Sequence, residues 1–303
     1  MSDAGAKIVA FIREVYRTDA FVPLHAPIFK GNEKQYLSNC IDTTFVSYVG
    51  EYVNAFEQKI AAFTGAKYAV AVVNGTCALH IALLMADVKP EDEVITQALT
   101  FVATANAIAY TGATPTFVDV DKDTMGMSPE ALNGFLQQHC TKKADGYTYN
   151  NRSGRRIKAC VPMHTFGFPA RIQQIKDICD AYQITLVEDS AESLGSYTEG
   201  QHTGLWGASS ILSFNGNKTI TCGGGGALIT NDAALAQRAK HITTTAKVPH
   251  KWEFYHDALG YNYRLSNVHA AIGCAQMEQL PQILESKRKV AMQYAAFFKS
   301  LGI

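Results

Sequence analysis

Lys218 stands in Ser213-Phe214-Asn215-Gly216-Asn217-Lys218, just ahead of the run Gly223-Gly224-Gly225-Gly226. Upstream, Asp189 closes an apolar stretch in Val187-Glu188-Asp189-Ser190-Ala191-Glu192. An amine nucleophile and an acid at a strand end are what pyridoxal phosphate (PLP) chemistry needs. The lysine joins the aldehyde as a Schiff base, and the acid keeps the pyridine nitrogen protonated so that the ring accepts electrons. The bland alternatives are a surface lysine and an acid that caps the next turn. The position of Lys218 between a strand and a glycine run favours burial, and burial lowers a lysine towards the neutral amine. The glycine run lacks the G-K-[ST] of a P-loop, so its functional reading is close backbone packing beside the lysine.

Other residues are candidates for the same site. Asn74-Gly75-Thr76 sits between a strand and a helix, where glycine admits a ligand and the helix N-terminus favours a phosphate. A plain N-cap is the competing reading. Ser213 offers a further hydroxyl. Phe101 follows a strand end, as core or as an aromatic to stack on a cofactor ring. Glu192 is read as a helix cap or as a group facing the cofactor's phenolic oxygen. His164 is read as a core histidine or a substrate contact. Gly260-Tyr261-Asn262-Tyr263-Arg264 is a polar turn or a ligand-reaching tract in which Arg264 binds an anion. Tyr263 and His256, in the aromatic- and histidine-rich stretch 246–264, are further substrate candidates. The histidines His25, His241, His250 and His256 are too scattered for a metal site, and no metal is expected.

These residues need a frame. Strands are expected at 68–73, 93–96, 116–120, 159–163, 184–188, 210–214 and 226–230. Helices are expected at 5–17, 33–42, 50–63, 74–85, 101–110, 171–182 and 232–241, with one starting at Ser128-Pro129-Glu130 and a long one closing the chain. Alternating strands and helices imply a mostly parallel α/β sheet covered on both faces. In such sheets ligands sit at the carboxyl ends of the strands, where Asp189, Ser213 and Asn74 fall. Pro162 places its strand near an edge or a bend. The polar stretch 140–158 reads as a surface hairpin.

The bulk numbers exclude several classes. The chain has 303 residues, 47% of them hydrophobic, enough for a large core. Its 27 basic residues balance 27 acidic ones, so neither nucleic acid nor a membrane surface is an expected partner. No apolar run is long enough to span a membrane, and Met1-Ser2-Asp3-Ala4-Gly5 does not open a signal peptide. Seven scattered cysteines with no C-x-x-C point to a reducing, cytoplasmic compartment.

Together the motifs resemble the DegT-type (fold type I) sugar aminotransferases. Asn74-Gly75-Thr76 before Ala78-Leu79-His80, Thr100-Phe101-Val102-Ala103-Thr104-Ala105-Asn106-Ala107, Glu188-Asp189, Ser213 to Lys218, Gly223–Gly226 and Gly260 to Arg264 follow in family order. The resemblance implies a seven-stranded fold type I sheet and a PLP-dependent aminotransferase. It implies that Lys218 is the Schiff-base lysine and proton shuttle, and Asp189 the pyridinium partner. It makes Gly75, Thr76 and Ser213 phosphate ligands, and Phe101 the stacked aromatic. Asn262 matches a residue the family donates to its dimer mate's phosphate, so the active unit would be a homodimer. Glu192 stands where many relatives have glutamine.

Within the family, Met163-His164-Thr165-Phe166-Gly167, the 140–158 insertion and Thr243 to His250 resemble the legionaminic-acid and bacillosamine subgroup. That implies amino transfer from L-glutamate to C4 of a UDP- or GDP-linked 4-keto-6-deoxy-N-acetylhexosamine. The alternatives are amination at C3 of another nucleotide sugar and a truncated, non-catalytic PLP-binding paralogue. A 3-dehydrase is disfavoured, because those relatives replace the lysine with histidine. The expected domains are an N-terminal helix and arm (1–30), a large PLP-binding domain (31–245) and a small C-terminal domain (246–303), incomplete because family members run longer.

Overall fold

The computed structural model describes residues 3–302. Helices α1 (Asp3–Tyr16), α2 (Glu33–Asp42) and α3 (Glu51–Thr64) precede β1 (Tyr68–Val72) and α4 (Gly75–Met85). Then come β2 (Glu93–Gln97), α5 (Val102–Tyr110), β3 (Thr114–Val118), α6 (Pro129–His139), and the strands β4 (Cys140–Lys142), β5 (Thr148–Asn150) and β6 (Ile157–Val161). A 3₁₀ turn (Thr165–Gly167) leads to α7 (Ile172–Tyr182), β7 (Thr185–Asp189), β8 (Tyr197–Thr198) and β9 (Gln201–His202). The chain ends with β10 (Ser209–Ser213), β11 (Gly226–Thr230), α8 (Ala233–Thr243) and α9 (Asn267–Ser300).

Seven strands form one sheet in the order β1-β11-β10-β7-β6-β2-β3. β11 runs antiparallel to both neighbours, and the other pairs are parallel. The carboxyl ends of β1, β10 and β7 therefore share one edge of the sheet, which is what brings Asn74, Ser213 and Asp189 together.

Strict alternation along the strands builds the core. Val94, Ala159, Val161, Val187 and Ile211 face a cluster with α4, α5 and α8. The residues between them face the other way. Ile95, Cys160 and Leu186 pack under α6 and α7, and Leu212 packs under α3 and α9. Both faces are covered, so the central strands are buried along nearly their whole length.

The strand expected to carry Pro162 does not lie at an edge of the sheet. β6 is central, not an edge strand, and Pro162 falls just past its end, where its carbonyl accepts from the Asp189 amide. Within the expected small domain (246–303), α9 begins against the large sheet. The buried part of α9 runs only from Asn267 to Leu280, and it packs with α3 and the sheet. Pro281 marks where the helix leaves that core, and its far end stacks Phe297 on Phe11 of α1 at 4.0 Å. The stretch 140–158 holds the expected hairpin, β4 against β5. No helix among the described residues is long and apolar enough to cross a membrane.

Candidate active site

Phe214 builds the lysine loop. It follows β10 and is buried, with its ring edge-on to Phe56 of α3 at 4.9 Å. Its amide donates to the Gly225 carbonyl, and its own carbonyl accepts from the Thr221 hydroxyl and the Cys222 amide. Residues 215–221 thus leave and return at one anchored residue. Within that loop the Lys218 amide bonds the Asn215 carbonyl at 3.0 Å, a tight turn that lifts the side chain. The Lys218 side chain is 12% exposed, and its Nζ donates to Glu192 Oε1 at 2.8 Å. The other Glu192 oxygen accepts from the Phe166 amide at 3.1 Å.

Asp189 ends β7 and is 4% exposed. Its carboxylate accepts from Thr104 Oγ1 at 2.8 Å and from the Ala191 amide at 3.2 Å. Burial raises its pKa, and the Thr104 and Ala191 hydrogen bonds, Lys218 and His164 offset that only in part. Among the described residues no cation lies within ion-pair distance of it. A buried carboxylate in this state is suited to a cationic partner such as a protonated pyridine nitrogen.

Next to it lies an anion cradle. Asn74 caps α4 by accepting from the Cys77 amide at 2.8 Å, and the N-terminus of the helix behind it favours an anion. A Cβ on Gly75 would come within 2.9 Å of Ser213 Cβ, so the Ser213 hydroxyl stands against the start of the helix. A Cβ on Gly226 would meet the Asn74 carbonyl group at 2.5 Å, and Gly225 donates to the Val73 carbonyl at 2.8 Å. The glycine run is close backbone packing, not a free turn. Phe101 is the N-cap of α5, just past the carboxyl end of β2, and is 65% exposed. The buried acid, the amine and the phosphate-sized cradle fit PLP.

Two residues of the site went without a role in the sequence reading. Thr104 links Asp189 to α5, and its signal was the pair Thr100/Thr104, whose hydroxyls lie 2.8 Å apart one helical turn on. Phe166 supplies the amide for Glu192, a contact that no spacing reveals.

The tract 260–264 lies beside the cradle. Tyr263 accepts from the Val73 amide at 2.8 Å, and Arg264 bridges to Val72. Arg264 lies 3.8 Å over the Tyr48 ring and donates to Asn262 Oδ1 at 2.9 Å, while Asn262 itself is exposed. Three of the expected substrate residues have partners within the chain. The Tyr263 side chain turns onto α4, with its hydroxyl 3.3 Å from His80 Nδ1. His164 is fully buried, with Nε2 on Glu188 at 3.0 Å and Nδ1 accepting from the Ala170 amide, so both ring nitrogens are used. Exposed His256 donates from Nδ1 to the Thr245 carbonyl, and no contact among the described residues ties it to Lys218. A cavity of about 900 Å³ between the arm Val22–Ile28 and α9 opens at Lys218. Lys218 lines this cavity, while Asp189, Gly75, Thr76 and Ser213 do not.

The DegT/DnrJ/EryC1/StrS aminotransferase family profile matches residues 27–303. The chain belongs to this family. Its members are PLP-dependent aminotransferases, so the expected cofactor and enzyme class stand, as does the fold type I architecture. The chain is 40% identical to GDP-perosamine synthase of Escherichia coli O157:H7 over 281 residues, which are 93% of this chain and 72% of that one. It is 39% identical to the putative pyridoxal phosphate-dependent aminotransferase EpsN of Bacillus subtilis, over 89% of this chain and 67% of that one. Among solved structures, Helicobacter pylori PseC, an aminotransferase of pseudoaminic acid biosynthesis, superposes with a TM-score of 0.75 at 25% identity. That match covers 86% of this chain and 66% of PseC. Two further relatives, from Vibrio cholerae and Caulobacter vibrioides, are also named GDP-perosamine synthase, so these relatives do not single out the legionaminic or bacillosamine subgroup.

Proposed function

We propose that this chain transfers an amino group from L-glutamate to C4 of a nucleotide-linked 4-keto-6-deoxyhexose. The observation that carries it is Lys218 held at 2.8 Å by one acid, beside a second, buried acid without a cation. PLP, when bound, supplies an aldehyde for the lysine and a ring that accepts electrons. The residues of this chain do the rest. Gly75, Thr76 and Ser213 would hold the phosphate, Phe101 would stack on the ring, and Asp189 would keep the ring nitrogen protonated. Lys218 Nζ, as a free amine, would take the α-proton of glutamate and later give a proton to the sugar carbon. We assign Asn262 to the site of a second copy of the chain, since it is exposed beside the cradle and steadied by Arg264. Seven free cysteines support a cytoplasmic setting.

The sequence motifs favour an N-acetylated sugar on UDP or GDP, and the names of the relatives favour GDP. A panel of UDP- and GDP-linked keto-sugars, with carbonyls at C3 or C4 and with or without the acetamido group, offered with ¹⁵N-glutamate, decides. Label is expected at C4 of one of them by mass spectrometry and NMR. Lys218→Ala should lower transfer at least about 10³-fold. Transfer to C3, or a yellow protein that glutamate leaves unchanged, would remove this reading.

A further inference from the structure

Two carboxylates approach Lys218, and their surroundings divide the work between them. Asp189 lies deep, its oxygens taken by the Thr104 hydroxyl and the Ala191 amide. Glu192 lies nearer the surface, 22% exposed, and makes the direct contact with the amine. Its second oxygen reaches across to the turn Thr165–Gly167, where Phe166 has a left-handed backbone at φ 53 and ψ 20. Such a conformation costs a bulky residue roughly 1–3 kcal/mol and persists only where neighbours enforce it. Gln97 and the Met125 carbonyl hold the Thr165 hydroxyl at the start of the turn, and the 192–196 segment holds Phe166 and Gly167. The Phe166 amide bonds Glu192 Oε2, and Ser196 Oγ donates to the Gly167 carbonyl at 2.6 Å. Gly167, at φ 84, packs so closely that a Cβ would sit 2.7 Å from the Glu192 carbonyl. The enforced turn leaves the Phe166 ring 70% exposed.

We propose that Glu192 is a positioning residue that couples Lys218 to the Phe166 turn. It draws the ammonium away from Asp189, which leaves the buried acid free for the cofactor's ring nitrogen. The same side chain, steadied by Lys218, holds the aromatic turn in its strained form. Charge-assisted hydrogen bonds in sequence make this one unit and not two local contacts. The cofactor half rests on the proposed function, and the coupling half does not.

The test uses the cofactor-free full chain. Hydrogen–deuterium exchange is followed at the Phe166 amide in wild type, Glu192→Gln and Lys218→Met. Lys218 does not touch Phe166, yet its loss should speed exchange there severalfold, because Glu192 loses its anchor. Glu192→Gln, which keeps the shape, should do the same. In parallel, PLP capture is followed by absorbance in wild type and Glu192→Gln. With only Asp189 left to attract the ammonium, capture by the variant should slow about tenfold. Unchanged exchange at Phe166 in Lys218→Met, or capture by Glu192→Gln at the wild-type rate, would overturn the assignment. If wild type never captures PLP, the proposed function fails, while the exchange result still decides the coupling.

Discussion

Among the described residues, the Asp189 carboxylate takes hydrogen bonds from one hydroxyl and one amide but faces no cation at ion-pair distance. Its folded pKa is raised by burial above the ordinary aspartate value. For an acid shifted upward, the unfolded chain releases its proton first as pH rises. Stability therefore falls through the window above the ordinary aspartate value, and the loss persists at neutral pH. Asparagine fits the same place. Its carbonyl can accept from Ala191, and its amide can donate to Thr104 Oγ1, whose hydroxyl then turns to Thr100. Asp189→Asn should raise the cofactor-free melting temperature at pH 7 by about 2 °C or more, equivalent to about 1 kcal/mol. The gain should vanish below the ordinary aspartate range. The same variant should transfer amino groups far more slowly, so stability and activity part at this residue. Thermal melts across pH, without cofactor, check the sign.

At the scale of elements, the cradle depends on three backbone segments meeting without side chains between them. Gly226→Ala would set a methyl against the Asn74 carbonyl group, which is backbone and cannot rotate away. It should push the start of α4 off the β10 edge, weaken PLP binding at least about tenfold, and cost about 2 kcal/mol of stability. Gly216, in the lysine loop, has open space around its Cβ position and no positive φ, so Gly216→Ala should change neither. Equilibrium binding and chemical denaturation of the pair check this. Such packing was partly legible in sequence. Strand ends, caps and the glycine run placed Lys218, Asp189, Gly75 and Ser213 at one edge, because those signals are local. Ser128-Pro129 marked the start of α6 for the same reason. Other features depend on which side chains meet across the fold. The Glu192 contact with Phe166, the burial of His164 on Glu188 and the turning of Tyr263 onto α4 have no periodicity. Nor does the apolar face of α9 say in sequence whether it covers the large sheet or a second core.

For the molecule as a whole, acid stability is set by histidines that the fold keeps neutral. His202 is 1% exposed between the rings of Phe63 and Tyr197. Its Nε2 accepts from the Gly195 amide at 3.0 Å and its Nδ1 donates to the Thr203 carbonyl, so the neutral ring satisfies both partners. Burial pushes its pKa down to about 4. His80, on α4, is lowered by burial as well. As pH falls below about 6.5 the unfolded chain takes up protons that the folded chain declines, so stability falls with pH until the folded rings also titrate. For His202 the gap from 6.5 to about 4 corresponds to about 3 kcal/mol. That is a large share of the roughly 5–15 kcal/mol typical of a folded protein. His25 is lowered too, by burial and by Lys287, while Asp189, raised by burial, works in the opposite sense over part of this range. His202→Gln keeps one acceptor for Gly195 and one donor for Thr203, and it carries no proton to gain. Its stability from urea unfolding should fall by about 2–3 kcal/mol less than wild type between pH 6.5 and 4. Parallel curves for the two proteins would place the acid limb elsewhere in the fold.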